Sequence, residues 1–292
     1  MRYIQEDLVM KRMNKRLISN KMWKIIFILA TSFALVSLGM LLYRILTQGL
    51  GFLDINFITN FASRIPENAG IKAALVGSLW LMSVVAPVSI ILGVSTALYL
   101  EEYAKQNKLN DFIRINISNL AGVPSIVFGL LGLTIFVRLF GFEKSILAAG
   151  LTMSLLILPV IIVAAQEAIR AVPNEQREAS YGMGATKWQT IVRVVLPAAI
   201  PGILTGSILA LSRAIGETAP LVVIGIPVIL QFLPTGYLDT FTALPMQIFD
   251  WAKRPQEAFQ HVASAGIIVL MVFLLTMNSI AIFIRNKFQK RY

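Results

Sequence analysis

The chain has 292 residues, of which 57% are hydrophobic and 14% charged, with a net charge of +11 and a mean hydropathy of +0.73. Soluble domains carry about 25% charged residues, so this composition excludes an ordinary soluble fold and points to a membrane protein. The lack of cysteine excludes disulfides and thiolate metal sites, and one histidine, His261, is too few for an imidazole-built zinc or haem centre.

A spanning helix needs roughly 20 apolar residues. Residues 1–22 are polar and basic and read as a cytoplasmic tail or a surface helix. The first span is predicted at 23–43. Its apolar run is too long for a signal peptide, so it reads as a retained helix. Residues 44–70 contain Gly, Asn and Pro and are expected to form short interfacial turns. Further spans are predicted at 72–100, 117–137, 146–166, 201–230 and 263–284, which makes six. Glu101 and Glu102 are expected to end the second helix against a polar turn. Prolines 87, 124, 159 and 220 fall in or near spans, where neighbouring groups can satisfy the freed carbonyls. Gly202 and Gly206 form a G-x-x-x-G, which suits a close helix seam and is also frequent by chance in glycine-rich spans.

Charge placement gives the orientation. The N-terminus, the segments 101–116 and 167–200 and the C-terminal tail hold 18 of the 26 basic residues; the alternate segments hold 7, and Arg213 is the last. The positive-inside rule then places both termini in the cytoplasm. The basic excess reads as a rim facing anionic membrane lipid, so it calls for no nucleic acid.

The stretch 167–200 is the longest inner segment and reads as helix, glycine break, helix. Asn174 is a candidate N-cap. Gly182 and Gly184 interrupt the pattern, and Thr186 with Gln189 fits a capping box. Trp188, Ile191, Val192 and Val195 follow at helical spacing, and Pro197 and Pro201 are expected to stop or kink the chain. Such a hairpin could dock a cytoplasmic subunit or lie on lipid.

The run REASYGMGATKWQTIVRVVLP resembles the EAA loop of binding-protein-dependent ABC importer permeases. Glu178 and Ala179 match its first two positions, Gly184 its glycine, Val194 its aliphatic position and Leu196–Pro197 its end; Ser180 replaces the third-position alanine. The resemblance implies that Glu178, Ala179, Ser180, Gly184, Leu196 and Pro197 belong to a coupling helix seated on an ATPase, with a close helix contact at Gly184. The runs GIKAALVGSLWLMSVVAPVSIILGVSTALYLEEYA, LSRAIGETAPLVVIG and LPMQIFDWAKRPQEAFQHVASAGIIVLM are similar to the PstA family of phosphate-specific permeases. That resemblance covers residues 70–284. It implies an all-α integral membrane protein, a type I (MetI-like) permease bundle of six transmembrane helices with its core at 70–284 and a cytoplasmic tail at 285–292.

No G-x-x-x-x-G-K-[ST] is present, and GMGATK has the wrong spacing. The chain is therefore expected to bind no cofactor of its own and to work with a separate ATPase; the resemblance implies one of the PstB type, carrying ATP and Mg2+. The resemblance also implies a second permease of the PstC type and an extracytoplasmic phosphate-binding protein of the PstS type.

Arg213 and Glu217 stand four residues apart deep in the fifth predicted span, on one helical face. A charge at that depth costs at least ~2.5–3.5 kcal/mol, so both must face protein or water. They could form a structural ion pair or line a polar route for an oxyanion, for which a guanidinium fork is suited. Rival readings are a permease for another oxyanion such as molybdate or sulfate, a membrane enzyme using Glu217 or Glu167 as acid or base, and a non-transporting scaffold. The enzyme would need a convergent set of polar residues at one depth, and only Arg213 and Glu217 offer charge deep in a span, with no metal-ligand cluster or nucleophile–base pair beside them.

Overall fold

A computed structural model describes residues 6–105 and 107–288. Arg2, Lys290 and Arg291 of the basic rim lie outside them. The described residues form helices joined by turns: α1 (Glu6–Gly49), α2 (Ile55–Thr59), α3 (Lys72–Leu98), α4 (Lys108–Leu120), α5 (Ser125–Gly132), α6 (Ile146–Arg170), α7 (Asn174–Gly182), α8 (Lys187–Thr190), α9 (Leu196–Gly216), α10 (Ala219–Ile224), α11 (Leu244–Lys253) and α12 (Glu257–Phe288). Five helical stretches are long and apolar enough to cross a membrane, and a sixth crossing arises if the bent pair α4–α5 counts as one.

The bundle is centred on α6. Its apolar side, including Met153, Ile157 and Ile161, is fully buried against α3 and α9. Small residues set these distances. A Cβ on Gly93 of α3 would lie 2.6 Å from the Ile161 side chain, and one on Gly150 of α6 would lie 2.7 Å from Val84. Cβ atoms on Gly202 and Gly206 would lie 2.7 and 2.3 Å from the Cβ atoms of Ala168 and Ala164, so the G-x-x-x-G is a seam within the chain, against α6.

Helix α1 stands apart. The apolar part of its long stretch has no buried residue, and it joins the bundle at its end, where Gly49 meets the backbone of Ser264 and Ala265 in α12. There the Gln48 carbonyl lies 3.2 Å from His261 Nδ1. The segment expected as a tail or surface helix is helical from Glu6 and continues without a break into the first span.

Two predicted spans are corrected. The third, 117–137, is not one helix: α4 and α5 meet at 104°. Pro124 has no N–H to donate and disfavours helical geometry at the residue before it, so the chain turns at 121–124 and restarts at Ser125. The fifth, 201–230, begins earlier and ends sooner. Helix runs from Lys187 to Gly216, through an unbroken wide turn at Ile191–Val195 and past Pro197 and Pro201, which neither stop nor break it. Pro197 sits in the first turn of α9, where its missing N–H costs little.

After Gly216 the backbone turns extended at Glu217 (φ −76°, ψ 125°). Pro220 explains the stop, since its ring would press on the Gly216 carbonyl four residues back if the helix continued. The short α10 then ends at Gly225, whose φ of 79° completes a Schellman motif with Ile226 N–H donating to the Leu221 carbonyl at 3.1 Å. Residues 225–243 return irregularly through the bundle, with Ile226 and Phe241 buried. Their turn is tied by Asp239, which accepts from Thr235 N–H at 2.7 Å, the Thr235 hydroxyl and Gly236 N–H; these bonds hold its carboxyl below the usual carboxylate range. Helix α11, inside a segment expected to be loop, buries Trp251 against Phe57 and Phe259.

Candidate functional site

Helix α9 has two unlike sides. Ile203, Ser207, Ala210 and Ala214 are buried in the bundle. Thr205, Leu209, Arg213 and Gly216 are exposed, at helical spacing along the other side. The antiparallel register set by Gly202–Ala168 and Gly206–Ala164 carries Arg213 opposite the middle of α6. Arg213 therefore lies near the mid-height of the bundle, on its exposed side, in the last turn of a helix that stops three residues later. A cation is favoured there by the carbonyl end of the helix dipole.

Arg213 and Glu217 do pair: Nε donates to Oε1 at 3.3 Å. Glu217 is no longer helical, so the pair closes over the end of α9. The arginine side chain is 53% exposed and the glutamate 19%. Among the described residues this is its one side-chain hydrogen bond, and the other guanidinium donors are left without a protein acceptor. Polar groups continue along the α9–α12 seam: Ser212 donates to Asn278 at 2.6 Å, and Arg285 reaches the Thr205 hydroxyl at 3.3 Å.

The segment 167–200 folds as two helices around a glycine break. Pro173, one residue before the expected Asn174, holds the N-cap position, and Asn174 instead accepts from Arg177 at 3.2 Å. The Thr186–Gln189 capping box forms with both bonds present. Gly184 adopts φ 82° with open space around its Cβ direction. Within the chain its requirement is the left-handed backbone. Trp188 and Val192 face outward, whereas Ile191 and Val195 are buried, so this apolar run divides between two faces. Glu178 and Ala179 are exposed beside Tyr181 and Met183. Ser180 is buried, and its hydroxyl lies 2.9 Å from Thr190 Oγ1, which gives the polar replacement for alanine a partner and joins α7 to α8. Leu196 and Pro197 are half-buried where α9 begins.

Sequence reading missed a charged cluster at the end of α3. Glu101, 10% exposed, accepts from Arg114 of α4, Gln166 of α6 and two nitrogens of Arg170, all at 2.9 Å. Glu102, 9% exposed, accepts from Arg177 of α7 at 3.2 Å. A polar cavity of about 420 Å³ opens beside Glu101, Arg114 and Arg170. The adjacent acidic pair was visible in the sequence. Its arginine partners lie 13 to 75 residues away and carry no spacing signal.

Residues 89–292 match the family model described as "Binding-protein-dependent transport system inner membrane component". The chain belongs to this family. A relative from Mycobacterium tuberculosis (strain CDC 1551 / Oshkosh), "Phosphate transport system permease protein PstA 1", is 35% identical over 280 residues, covering 93% of this chain and 90% of the relative. Among solved structures, an inward-facing MetNI methionine ABC transporter matches with a TM-score of 0.62 at 16% identity, over 75% of this chain and 96% of that one. A bacterial ABC transporter that imports alginate also matches with a TM-score of 0.62, at 17% identity, over 96% of this chain and all of that one. These likenesses establish an all-helical ABC importer permease fold.

Proposed function

We propose that this chain is the membrane-spanning permease subunit of an ATP-driven phosphate importer. It forms the translocation pathway with a second permease of the PstC type, docks an ATPase of the PstB type through 167–200, and receives phosphate from a binding protein of the PstS type. ATP hydrolysis belongs to the ATPase, and both termini of this chain are cytoplasmic. The observation that carries this reading is Arg213, a half-exposed cation opposite the middle of α6. Facing lipid it would cost at least ~2.5–3.5 kcal/mol, so its open side belongs against a partner or an aqueous path. The relatives named as phosphate permeases supply the substrate. A guanidinium held by one long hydrogen bond can lend its remaining donors to a passing oxyanion and take them back, as a transit site requires.

The test is phosphate uptake by reconstituted complexes, with abundance measured in parallel. Arg213→Gln is expected to reduce uptake sharply, and R213Q/E217Q is expected not to restore it. Near-parental uptake in the double variant at equal abundance would leave Arg213 as half of a structural pair. Parental complexes that carry molybdate or sulfate in preference to phosphate would move the substrate to another oxyanion.

A further inference from the structure

Helix α7 buries a single residue, Ser180. Apolar packing therefore does little to fix it to the bundle, and polar contacts carry the attachment. Arg177 makes most of them. Its Nη2 donates to Glu102 Oε1 at 3.2 Å and to the Ile169 carbonyl at 2.9 Å, and its Nη1 donates to the Val172 carbonyl and to Asn174 Oδ1. One guanidinium thus joins α7, the end of α6 and the turn that ends α3. Arg177 is 16% exposed and Glu102 9%, so the pair is shielded from water and salt. Next to it, Glu101 gathers α4 and α6 through Arg114, Gln166 and Arg170. Helices α3 and α6, whose ends meet here, are packed at van der Waals distance along their length through Gly93 and Gly150.

We propose that the Arg177–Glu102 bridge is the link that carries displacement of α7 into α3 and α6, making these two residues positioning residues for the transport cycle. This rests on reading 167–200 as the segment that docks the ATPase. A planar fork with several donors can hold a carboxylate and two carbonyls at once, which a lysine ammonium on a flexible stem does not reproduce. Motion of α7 then pulls on the ends of both helices together. The exposed residues Glu178, Tyr181 and Met183 make the outward contact, while Arg177, on the same helix, faces inward.

The experiment uses the whole complex, with Leu209→Cys as a reporter on the open side of α9 in an otherwise cysteine-free chain. Two quantities are measured: ATPase recovered with the permease, and the change in maleimide labelling rate when ATP is trapped. In E102Q/R177M, which removes both charges and strands neither, ATPase recovery is expected to equal that of the parent. The ATP-dependent labelling change is expected to shrink about tenfold, within the usual range for coupling between sites. Arg177→Lys, which keeps the charge, is expected to fall between. A full-sized labelling change in E102Q/R177M overturns the proposal, and so does a parent that holds the ATPase but shows no such change. Loss of the ATPase from both variants overturns it too, because the bridge would then be shaping the docking surface. Failure of the parent itself to hold the ATPase refutes the docking assignment, and is distinguished by appearing without any change at Arg177 or Glu102.

Discussion

The two charged regions of this chain are built in opposite ways. At the end of α3, Glu101 receives four hydrogen bonds from three residues and is nearly buried. At the end of α9, Arg213 donates one bond of 3.3 Å and is half-exposed. Both regions pair acids with arginines, but the first uses its charges to hold helices together and the second leaves a cation available. The number of partners, more than the residue types, separates an arginine that fastens helices from one with donors to spare. Removing a partner should therefore cost stability at the first region and leave stability nearly unchanged at the second.

The comparison assumes that the α3 cluster lies at the inner rim and Arg213 deeper in the membrane. Single cysteines in place of exposed Lys187 and Lys253 test this in an all-or-none way. With an impermeant maleimide on intact cells, Lys253→Cys is expected to react and Lys187→Cys to stay unlabelled. The reverse pattern inverts the chain and removes the basis for an ATPase contact at 167–200.

The next largest effect is expected at Glu101. Glu101→Ala leaves Gln166 without its acceptor and Arg114 with the Leu100 carbonyl alone, while half-exposed Arg170 rehydrates in part. Destabilisation of about 3 kcal/mol is expected, the low end for breaking a buried pair. Thermal unfolding of the detergent-solubilised protein measures it, and a midpoint equal to the parent's would show that the cluster fastens nothing.

A smaller loss is expected on the packed side of α9. Gly206→Ala brings a Cβ to 2.3 Å from that of Ala164, so the seam must open. Overpacking of this kind costs about 1–3 kcal/mol. The compensating pair G206A/A164G should recover most of it, and failure to recover would place the cost in the backbone.

The smallest stability effect belongs to Arg213. Arg213→Gln is expected to change unfolding by less than about 1 kcal/mol, because a half-exposed ion pair contributes little. A loss as large as that of Glu101→Ala would erase the contrast between the regions and favour a structural pair.

Much of this was legible in the sequence. Hydropathy placed the starts of α3 and α6, because a membrane interior demands continuous apolar runs and every residue in them reports on that demand. The Thr186–Gln189 capping box and the break at Gly184 followed from local chemistry that acts over three or four residues. Arg213 and Glu217 stood out because charge in an apolar run is conspicuous. Hydropathy gave no warning of the end of α9, since Leu221, Ile224 and Ile226 beyond the break are as apolar as the helix before it.

The sequence by itself determined the class of the molecule, the apolar runs that begin α3 and α6, and the presence of two ionic residues in an apolar stretch. Each of these depends on single residues or on neighbours within a turn. Tertiary structure decided which side of α9 is open, that Gly202 and Gly206 close on α6, and that Glu101 and Glu102 are held by arginines from three other helices. Those outcomes depend on which helices lie side by side. A lone carboxylate reads the same in sequence whether it meets four donors or none, and only the packing of distant segments supplies them.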